Sequence, residues 1–254
     1  LNMDYVDIYM LHWPLTERTY PMFIDKSKLK FVYEGQQNVT SSPVLEDTVA
    51  ALMQLQKDGK IRHLGVSNFA VNRLEEIQIV GGNYVVNEIV YNLVTRAAEI
   101  EILPYCKRNG IGTIAYMSLM EGLLTDKYKT IDEIPEWYSR SRHFDSKRSN
   151  KIRHGGPGEE KELLRVLQKI RSAAKECDIM LSDIALKWIV ASENMTTCLV
   201  GTQNIKRLVK NVKATEKPLP KDVLDKLNKI TQKLKEKLGP SLDIFESVEN
   251  DRTR

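Results

Sequence analysis

An α/β fold built on a parallel sheet with crossover helices is what this sequence predicts, and three observations carry the prediction. Apolar, β-branched runs alternate along the chain with stretches of helical periodicity, the pattern of strands joined by covering helices. At 254 residues with 42% hydrophobic side chains, the chain suffices for one sizeable α/β domain and is short for two. The first strand-like run, Tyr5 to Leu11, reads as a buried strand; Pro14 cannot donate a ladder hydrogen bond, so His12 is presented at the strand's C-terminal end. Ligands gather at that end of the strands in α/β sheets and barrels. His12 is therefore a site candidate, with a core histidine satisfied at both nitrogens as the alternative.

Residues 15–42 follow as one irregular stretch, and loops that long are commonly functional or disordered. Tyr20, Phe23, Phe31 and Tyr33 make it more apolar than a linker, so it reads as a lid or substrate wall. Ser42 is expected to cap a helix with Pro43 at its first position and Leu45, Val49 and Leu52 on one face, ended by Gly59. A second strand, Ile61 to Val66, delivers Ser67 and Asn68, which also suit the cap of the next helix, Val71 to Val80. Gly81 and Gly82 end that helix and a third strand runs from Tyr84 to Val90.

Ala98 to Asn109 is expected as a helix, acidic early and basic late as its dipole prefers, closed by Gly110. The fourth strand is Ile111 to Met117. Residues 139–154 are strongly basic, with Arg140, Arg142, Lys147, Arg148, Lys151 and Arg153 against Asp145; such a run reads as a solvated loop, or as arginines closing over phosphates. Gly155 to Gly158 lacks the Lys-Ser/Thr of a phosphate loop and reads as a turn. Helices from Glu159 to Cys177 and Ser182 to Ser192 precede a last strand, Thr196 to Val200, which opens into Gly201 to Asn211, a strand followed by a helix N-terminus, where barrels favour phosphate. Lys221 to Leu238 closes the domain as an amphipathic helix stopped by Gly239-Pro240, and residues 239–254 read as a loosely held tail.

Several motifs resemble those of the aldo-keto reductases, in that family's order. Asp4-Tyr-Val-Asp-Ile-Tyr-Met-Leu-His-Trp-Pro14 resembles the fourth-strand signature, followed by Gly59-Lys-Ile-Arg-His-Leu-Gly-Val-Ser-Asn-Phe69 and Tyr91-Asn-Leu-Val-Thr-Arg96. Ile102 to Cys106, Ala115-Tyr116, Glu121 to Thr125 and Leu199 to Thr202 extend the likeness over nearly the whole chain. The resemblance implies an eight-stranded (β/α) TIM barrel that moves hydride between NADP(H) and a carbonyl or alcohol, with residues 1–238 as the barrel domain. His12 would polarise the carbonyl and Trp13 would line the substrate site. Ser67, Asn68 and Glu88 would hold the nicotinamide carboxamide, although the family pattern usually has glutamine where Glu88 stands, and Tyr116 would stack on the ring. Gly122, Leu124, Thr125 and Lys127 match the loop that wraps the pyrophosphate, where Asp126 needs Lys127 to neutralise it. Gly201, Thr202, Gln203 and Arg207 match positions at the adenosine ribose or its 2′-phosphate, and Asn211 the adenine.

The family's tyrosine acid, with its lysine and aspartate, lies before the strand that ends at His12 and has no counterpart here. The resemblance thus implies about five of eight β/α units, from a longer protein or a truncated one, and a chain that alone does not reduce carbonyls for want of a proton donor. A non-catalytic NADP(H)-binding module that reports redox state to a partner is the alternative function. A net charge of +4 suits an anionic cofactor and argues poorly for nucleic acid. Cys106, Cys177 and Cys198 are few, widely spaced and without C-x-x-C, so they are expected reduced and buried, with no metal site. No apolar run or leader suggests a membrane or secretion, so a soluble cytoplasmic protein is expected.

Overall fold

A computed structural model describes residues 2–16, 19 and 44–254. The expected lid and the Ser42-Pro43 cap fall almost wholly outside the described residues. The chain divides into two compact units, Leu1–Asn87 with Arg252–Arg254, and Glu88–Asp251.

In the first unit, β1 (Val6–Leu11) pairs in parallel with β2 (Ile61–Ser67), in a register running from Val6 opposite Ile61 to Leu11 opposite Val66. β3 (Tyr84–Val90) is next in order after β2. Gly65 makes this close approach possible: a Cβ there would stand 2.8 Å from Val86 Cγ1 and 2.9 Å from Ile8 Cγ2. The expectation that β1 is buried fails. It is the edge strand, paired on one side among the described residues, and Ile8 and Tyr9 are 41% and 48% exposed. Its apolar character reports what the strand is suited to pack against, and burial needs a neighbour on both faces and both edges.

Helix α1 (Leu45–Lys57) starts with Val44, whose side chain makes no cap, at its N-cap position. Val49 and Leu52 are buried; Glu46 and Asp47 in the first turn and Lys57 in the last match the helix dipole. The chain leaves α1 through a Schellman turn. Gly59 takes φ +72°, its N–H bonds the Gln56 carbonyl at 3.1 Å and the Lys60 N–H bonds Leu55 at 2.9 Å. Helix α2 (Val71–Ile79) buries Leu74 and Ile77 and leads through Gly81, at φ +85°, into β3.

In the second unit the single helix expected over Ala98 to Asn109 is broken into a 3₁₀ turn, Ala97–Glu99, and α3 (Ile102–Arg108). Pro104 explains the break: it has no N–H for the Ile100 carbonyl, and its ring would clash with that carbonyl in a continuous helix. Glu99 is instead a hub. Its carboxylate receives Arg96 Nε at 2.7 Å, Lys235 Nζ at 2.8 Å and the Tyr91 hydroxyl at 2.9 Å. Burial works to raise the Glu99 carboxyl, but Arg96 and Lys235 hold it below the usual carboxylate range, while burial and Glu99 push the Tyr91 hydroxyl up. The Tyr91–Arg96 motif is therefore a clamp, since Arg96 also donates to Thr231 Oγ1 at 2.7 Å.

β4 (Gly112–Tyr116) pairs in parallel with β5, which is regular only over Thr197–Cys198. Backbone bonds from Thr196 to Thr113 and from Leu199 to Ala115 continue the ladder at both ends, so the expected longer strand is present but irregular. α4 (Glu160–Glu176), which buries Leu163, Val166, Leu167 and Ile170, packs against α7 (Lys221–Leu238), and α5 (Leu181–Val190) packs against α6 (Ile205–Thr215). Among the described residues no helix is long and apolar enough to cross a membrane. All three cysteines are unpaired, but only Cys106 is fully buried, where burial pushes its thiol up to about 12; Cys177 and Cys198 are half-buried.

Two expectations about polar segments are corrected. The basic stretch over residues 139–154 is held by its own chain. Arg142 donates to the carbonyls of Leu238 and Ser241 at 2.6 and 3.0 Å, Arg148 pairs with Asp132 and Glu160, Lys151 with Glu136, and Arg153 with Glu246. His143 is sealed inside: Nε2 donates to the Val94 carbonyl at 2.8 Å, Nδ1 faces Ser141 Oγ at 3.0 Å, and burial lowers its pKa to about 4. The tail is not loose either. Ser241, Leu242, Asp243 and Ile244 are buried because Arg142 grips this segment and the Ile244 carbonyl accepts the Arg142 N–H at 2.7 Å.

Candidate active site

In the first unit two strand ends are tied together. His12 stands exposed just past β1, and Ser67 and Asn68, both 4% exposed, end β2. Asn68 takes φ +64°, a left-handed conformation in which asparagine is among the more tolerated residues. Its Nδ2 donates to the His12 carbonyl at 3.0 Å and to Ser67 Oγ at 3.1 Å. Both amide hydrogens are thereby committed, and a bond from this side chain to a planar amide runs through Oδ1. The helix-capping alternative for Ser67 and Asn68 does not hold, because Ala70 occupies the N-cap of α2 and no side chain caps it. Trp13 is half-buried, and Pro14 follows it with its carbonyl accepting the Thr19 hydroxyl.

In the second unit a cavity of about 980 Å³ lies between the segment after β4 and the start of α6. Gly122, Thr125 and Lys127 line one side, and Gly201, Arg207 and Asn211 the other. Six of the expected cofactor residues are thus brought to one place. The volume is at the upper end for a small-molecule site, roughly 300 to 1,000 Å³.

The turn after β4 is tightly wound. Met117, Met120 and Glu121 have positive φ, and Gly122, at +98°, continues the chain where other residues are strained. Gly122 and Leu124 both send their N–H groups to the Leu119 carbonyl, at 3.0 and 3.1 Å, and Thr125 Oγ1 donates to the Gly122 carbonyl at 2.6 Å. Asp126 also lines the cavity, and its partner is Arg171 at 3.9 Å; Lys127 instead lies over the rings of Tyr128 and Tyr138 at 5.0 and 5.8 Å, contrary to the expected Asp126–Lys127 pair.

On the opposite side, Asn204 caps α6 by accepting the Arg207 N–H at 3.1 Å. Its first two turns carry Lys206, Arg207 and Lys210 into the cavity, in the region where the helix dipole is positive. Lys206 and Arg207 make no side-chain ion pair among the described residues, and Lys210 Nζ rests on Met180 Sδ. Asn211 is 7% exposed, and its Nδ2 is buried in the cavity wall without a hydrogen-bond partner among the described residues. A buried amide hydrogen left unmet costs about 1 to 3 kcal/mol, which a ligand acceptor recovers.

The remaining expected residues lie elsewhere. Leu124 is wholly buried, its side chain in the core, and Thr202 and Gln203 sit in the loop before α6 outside the cavity lining. Tyr116 ends β4 half-buried, immediately before the first lining residue, Met117, and its carbonyl accepts the Tyr91 N–H at 3.3 Å. Glu88 is half-buried in β3. Sequence reasoning missed Glu121, which lines the cavity and whose carboxyl burial pushes up to about 7, with Arg140 pulling the other way. It also missed Asn204, for which an asparagine directly before a helical apolar pattern was the available signal; Lys206, expected beside Arg207 one turn into the helix, does line the cavity.

The chain matches the model of the Aldo/keto reductase family over residues 1–232 and belongs to that family. An NADH-specific methylglyoxal reductase of Escherichia coli (strain K12) is 28% identical over 217 residues, 84% of this chain and 55% of the relative. A glyoxal reductase of Bacillus subtilis (strain 168) is 34% identical over 142 residues, 56% of this chain and 41% of the relative. A putative voltage-gated potassium channel subunit beta of Schizosaccharomyces pombe is 27% identical over 238 residues, 91% of this chain and 60% of the relative. Among solved structures, a glycerol dehydrogenase of Gluconobacter oxydans superposes with a TM-score of 0.66 at 23% identity, over 92% of this chain and 60% of the other, which shows the barrel-type fold. The chain spans about half the length of the curated relatives it matches.

Proposed function

We propose that these residues serve an NADP(H)-dependent oxidoreductase acting on a small carbonyl or alcohol substrate. The observation that carries the reading is Asn211: a buried amide donor without a partner among the described residues, in the wall of a cavity shared with Arg207, Lys206, Thr125 and the Gly122 turn. An orphaned donor and a cluster of cations on one helix N-terminus fit an anionic dinucleotide better than a neutral metabolite.

The bound nicotinamide supplies or accepts the hydride. Toward it, the chain's own groups divide the work. Asn211 meets the adenine, and Arg207 with Lys206 meets the 2′-phosphate, which makes NADP(H) the preferred cofactor. Gly201 would border the ribose, and Gly122, Thr125 and Lys127 would line the pyrophosphate, while Thr202, Gln203 and Leu124 stand outside the cavity lining and would act only by shaping the two loops. Tyr116 would offer its ring to the nicotinamide, and Ser67, Asn68 and Glu88 would receive its carboxamide. His12 would orient and polarise the carbonyl, a role worth on the order of 10²-fold in rate for one well-placed donor, while Trp13 would form the apolar wall beside it. The names of the methylglyoxal and glyoxal reductases support small aldehydes as substrates, and that of the NADH-specific relative makes cofactor choice the point to test.

The test is binding of NADP⁺ and NAD⁺ by the full-length protein its gene encodes, followed by oxidation of reduced cofactor with methylglyoxal and glyoxal. Turnover that falls on the order of 10²-fold in His12→Ala is the expected result. A second reading, a non-catalytic NADP(H)-binding module, is favoured by the potassium channel subunit relative, which matches 91% of this chain. Tight cofactor binding without turnover by any aldehyde selects it. No binding of either cofactor overturns both.

A further inference from the structure

The family match ends at residue 232, yet the last three residues, Arg252–Arg254, group with Leu1–Asn87 and not with the residues that lead to them. They are packed there, Arg252 at 4% and Thr253 at 1% exposure. The Arg252 guanidinium lies 4.6 Å from the centre of the Trp13 ring, and the Thr253 carbonyl accepts the Ala70 N–H at 2.9 Å. Each contact falls just past a strand end. Trp13 follows His12 after β1, Ala70 follows Asn68 after β2, and the Asn68 amide joins the two ends through the His12 carbonyl.

We propose that Arg252 is a positioning residue for the carbonyl substrate, acting through Trp13. A guanidinium over an indole face is held by the ring's quadrupole and by stacking, and the planar fork restricts how the ring can rotate. With the backbone at Thr253 pinned to Ala70, the guanidinium cannot follow a swinging indole, so Trp13 keeps one orientation next to His12. A fixed apolar wall holds a small aldehyde in reach of the polarising group and spares the ordering cost at each binding event. The substrate consequence rests on the reductase reading above; the Arg252–Trp13 coupling does not.

The experiment compares Arg252→Met, which keeps the aliphatic packing, with Arg252→Lys, which keeps a cation, in the full-length protein. The first readout is acrylamide quenching of Trp13 emission, isolated by subtracting the emission of the matching Trp13→Phe variants to remove Trp137 and Trp188. The second is KM and kcat for methylglyoxal. Arg252→Met is expected to raise Trp13 quenching about twofold and KM about fivefold with kcat nearly unchanged, and Arg252→Lys to restore most of both. Unchanged Trp13 quenching in Arg252→Met, or a lysine variant indistinguishable from methionine, overturns the positioning role in an active enzyme. Altered quenching with unchanged KM overturns the substrate consequence while leaving the coupling. An unaltered protein without turnover shows instead that the reductase reading has failed, and the substrate consequence falls with it.

Discussion

Two basic regions of this chain behave in opposite ways. In the stretch over residues 139–154, Arg142, Arg148, Lys151 and Arg153 are each held by carbonyls or carboxylates of the same chain, and Arg140 lies over the Trp137 ring at 3.7 Å. On α6, Lys206 and Arg207 enter a cavity with no ion pair among the described residues, beside an Asn211 amide that has no partner. The denser run is the structural one. Density of charge along a sequence says little about ligands; what separates the two regions is whether the folded chain gives its cations a carboxylate or carbonyl partner, as it does for Arg142, Arg148, Lys151 and Arg153 and, among the described residues, does not for the Lys206 and Arg207 side chains. A cation that the fold has already neutralised has little left to offer a phosphate.

The largest effect that tests this contrast is at Arg142. Burial lowers its pKa, and it donates to the Leu238 and Ser241 carbonyls that hold the tail to the end of α7. Arg142→Met removes two charge-assisted hydrogen bonds and leaves two carbonyls unmet, at a cost of about 3 kcal/mol or more in stability. Urea unfolding measures it, with cofactor affinity of the folded fraction unchanged. A loss of cofactor binding without a loss of stability would reverse the roles of the two regions.

Arg207 is the complementary case. Arg207→Ala is expected to weaken NADP⁺ by about 1 to 3 kcal/mol, one charge-assisted pair, and to leave NAD⁺ and the unfolding midpoint nearly unchanged. Equal losses for the two dinucleotides would move Arg207 away from the 2′-phosphate. An unaltered NADP⁺ dissociation constant would sink the assignment.

Glu121 sharpens the comparison from the acidic side. It is a carboxyl in a cavity with four cationic side chains, yet burial outweighs Arg140 and carries its pKa from 4.5 to about 7. The folded protein therefore holds this proton more tightly than the unfolded chain. Its contribution makes stability fall as pH rises from 4.5 toward 7 and level off above it. A dinucleotide phosphate nearby favours the protonated form, so affinity is level at low pH and falls as pH rises through and above about 7. Glu121→Gln is expected to flatten both profiles, measured as the difference from the unaltered protein so that the cofactor's own titration cancels. A wild-type slope that persists in Glu121→Gln would place the titrating group elsewhere.

Much of the architecture was legible because it depends on local chemistry. The bounds of β3 and α7 follow from periodicity and flanking breakers, and six expected cofactor residues meet in one cavity because they sit at fixed offsets from strand ends. What was not legible depends on partners distant in sequence. The burial of β1 was overestimated because hydrophobicity does not say how many neighbours a strand has. The tail was read as loose because Arg142, about a hundred residues earlier, carries no local mark of gripping it. At Asn211 a helix-surface asparagine is the lesser alternative to an adenine contact, and no local signal in the sequence marks the burial of its amide, which separates the two.

Tyr116 gives the smallest effect and the finest distinction. It ends β4 half-buried, with the residues immediately following it lining the cavity, and its backbone carbonyl is bound to Tyr91. A platform residue contributes through ring area, and a catalytic tyrosine contributes through its hydroxyl. If the ring carries the nicotinamide, Tyr116→Ala costs about 1 kcal/mol of cofactor affinity through lost stacking, and Tyr116→Phe costs close to nothing because the face is retained. Both are read from quenching of the nicotinamide fluorescence on binding. A large loss in the phenylalanine variant would show that the hydroxyl makes the contact, which would transfer Tyr116 from the apolar platform to the polar set with Asn211 and Arg207. Because its ring offers no charge, its contribution is also expected to be insensitive to salt, whereas that of Arg207 weakens as ionic strength rises. A salt series on the two alanine variants therefore separates a stacking surface from a phosphate-binding one.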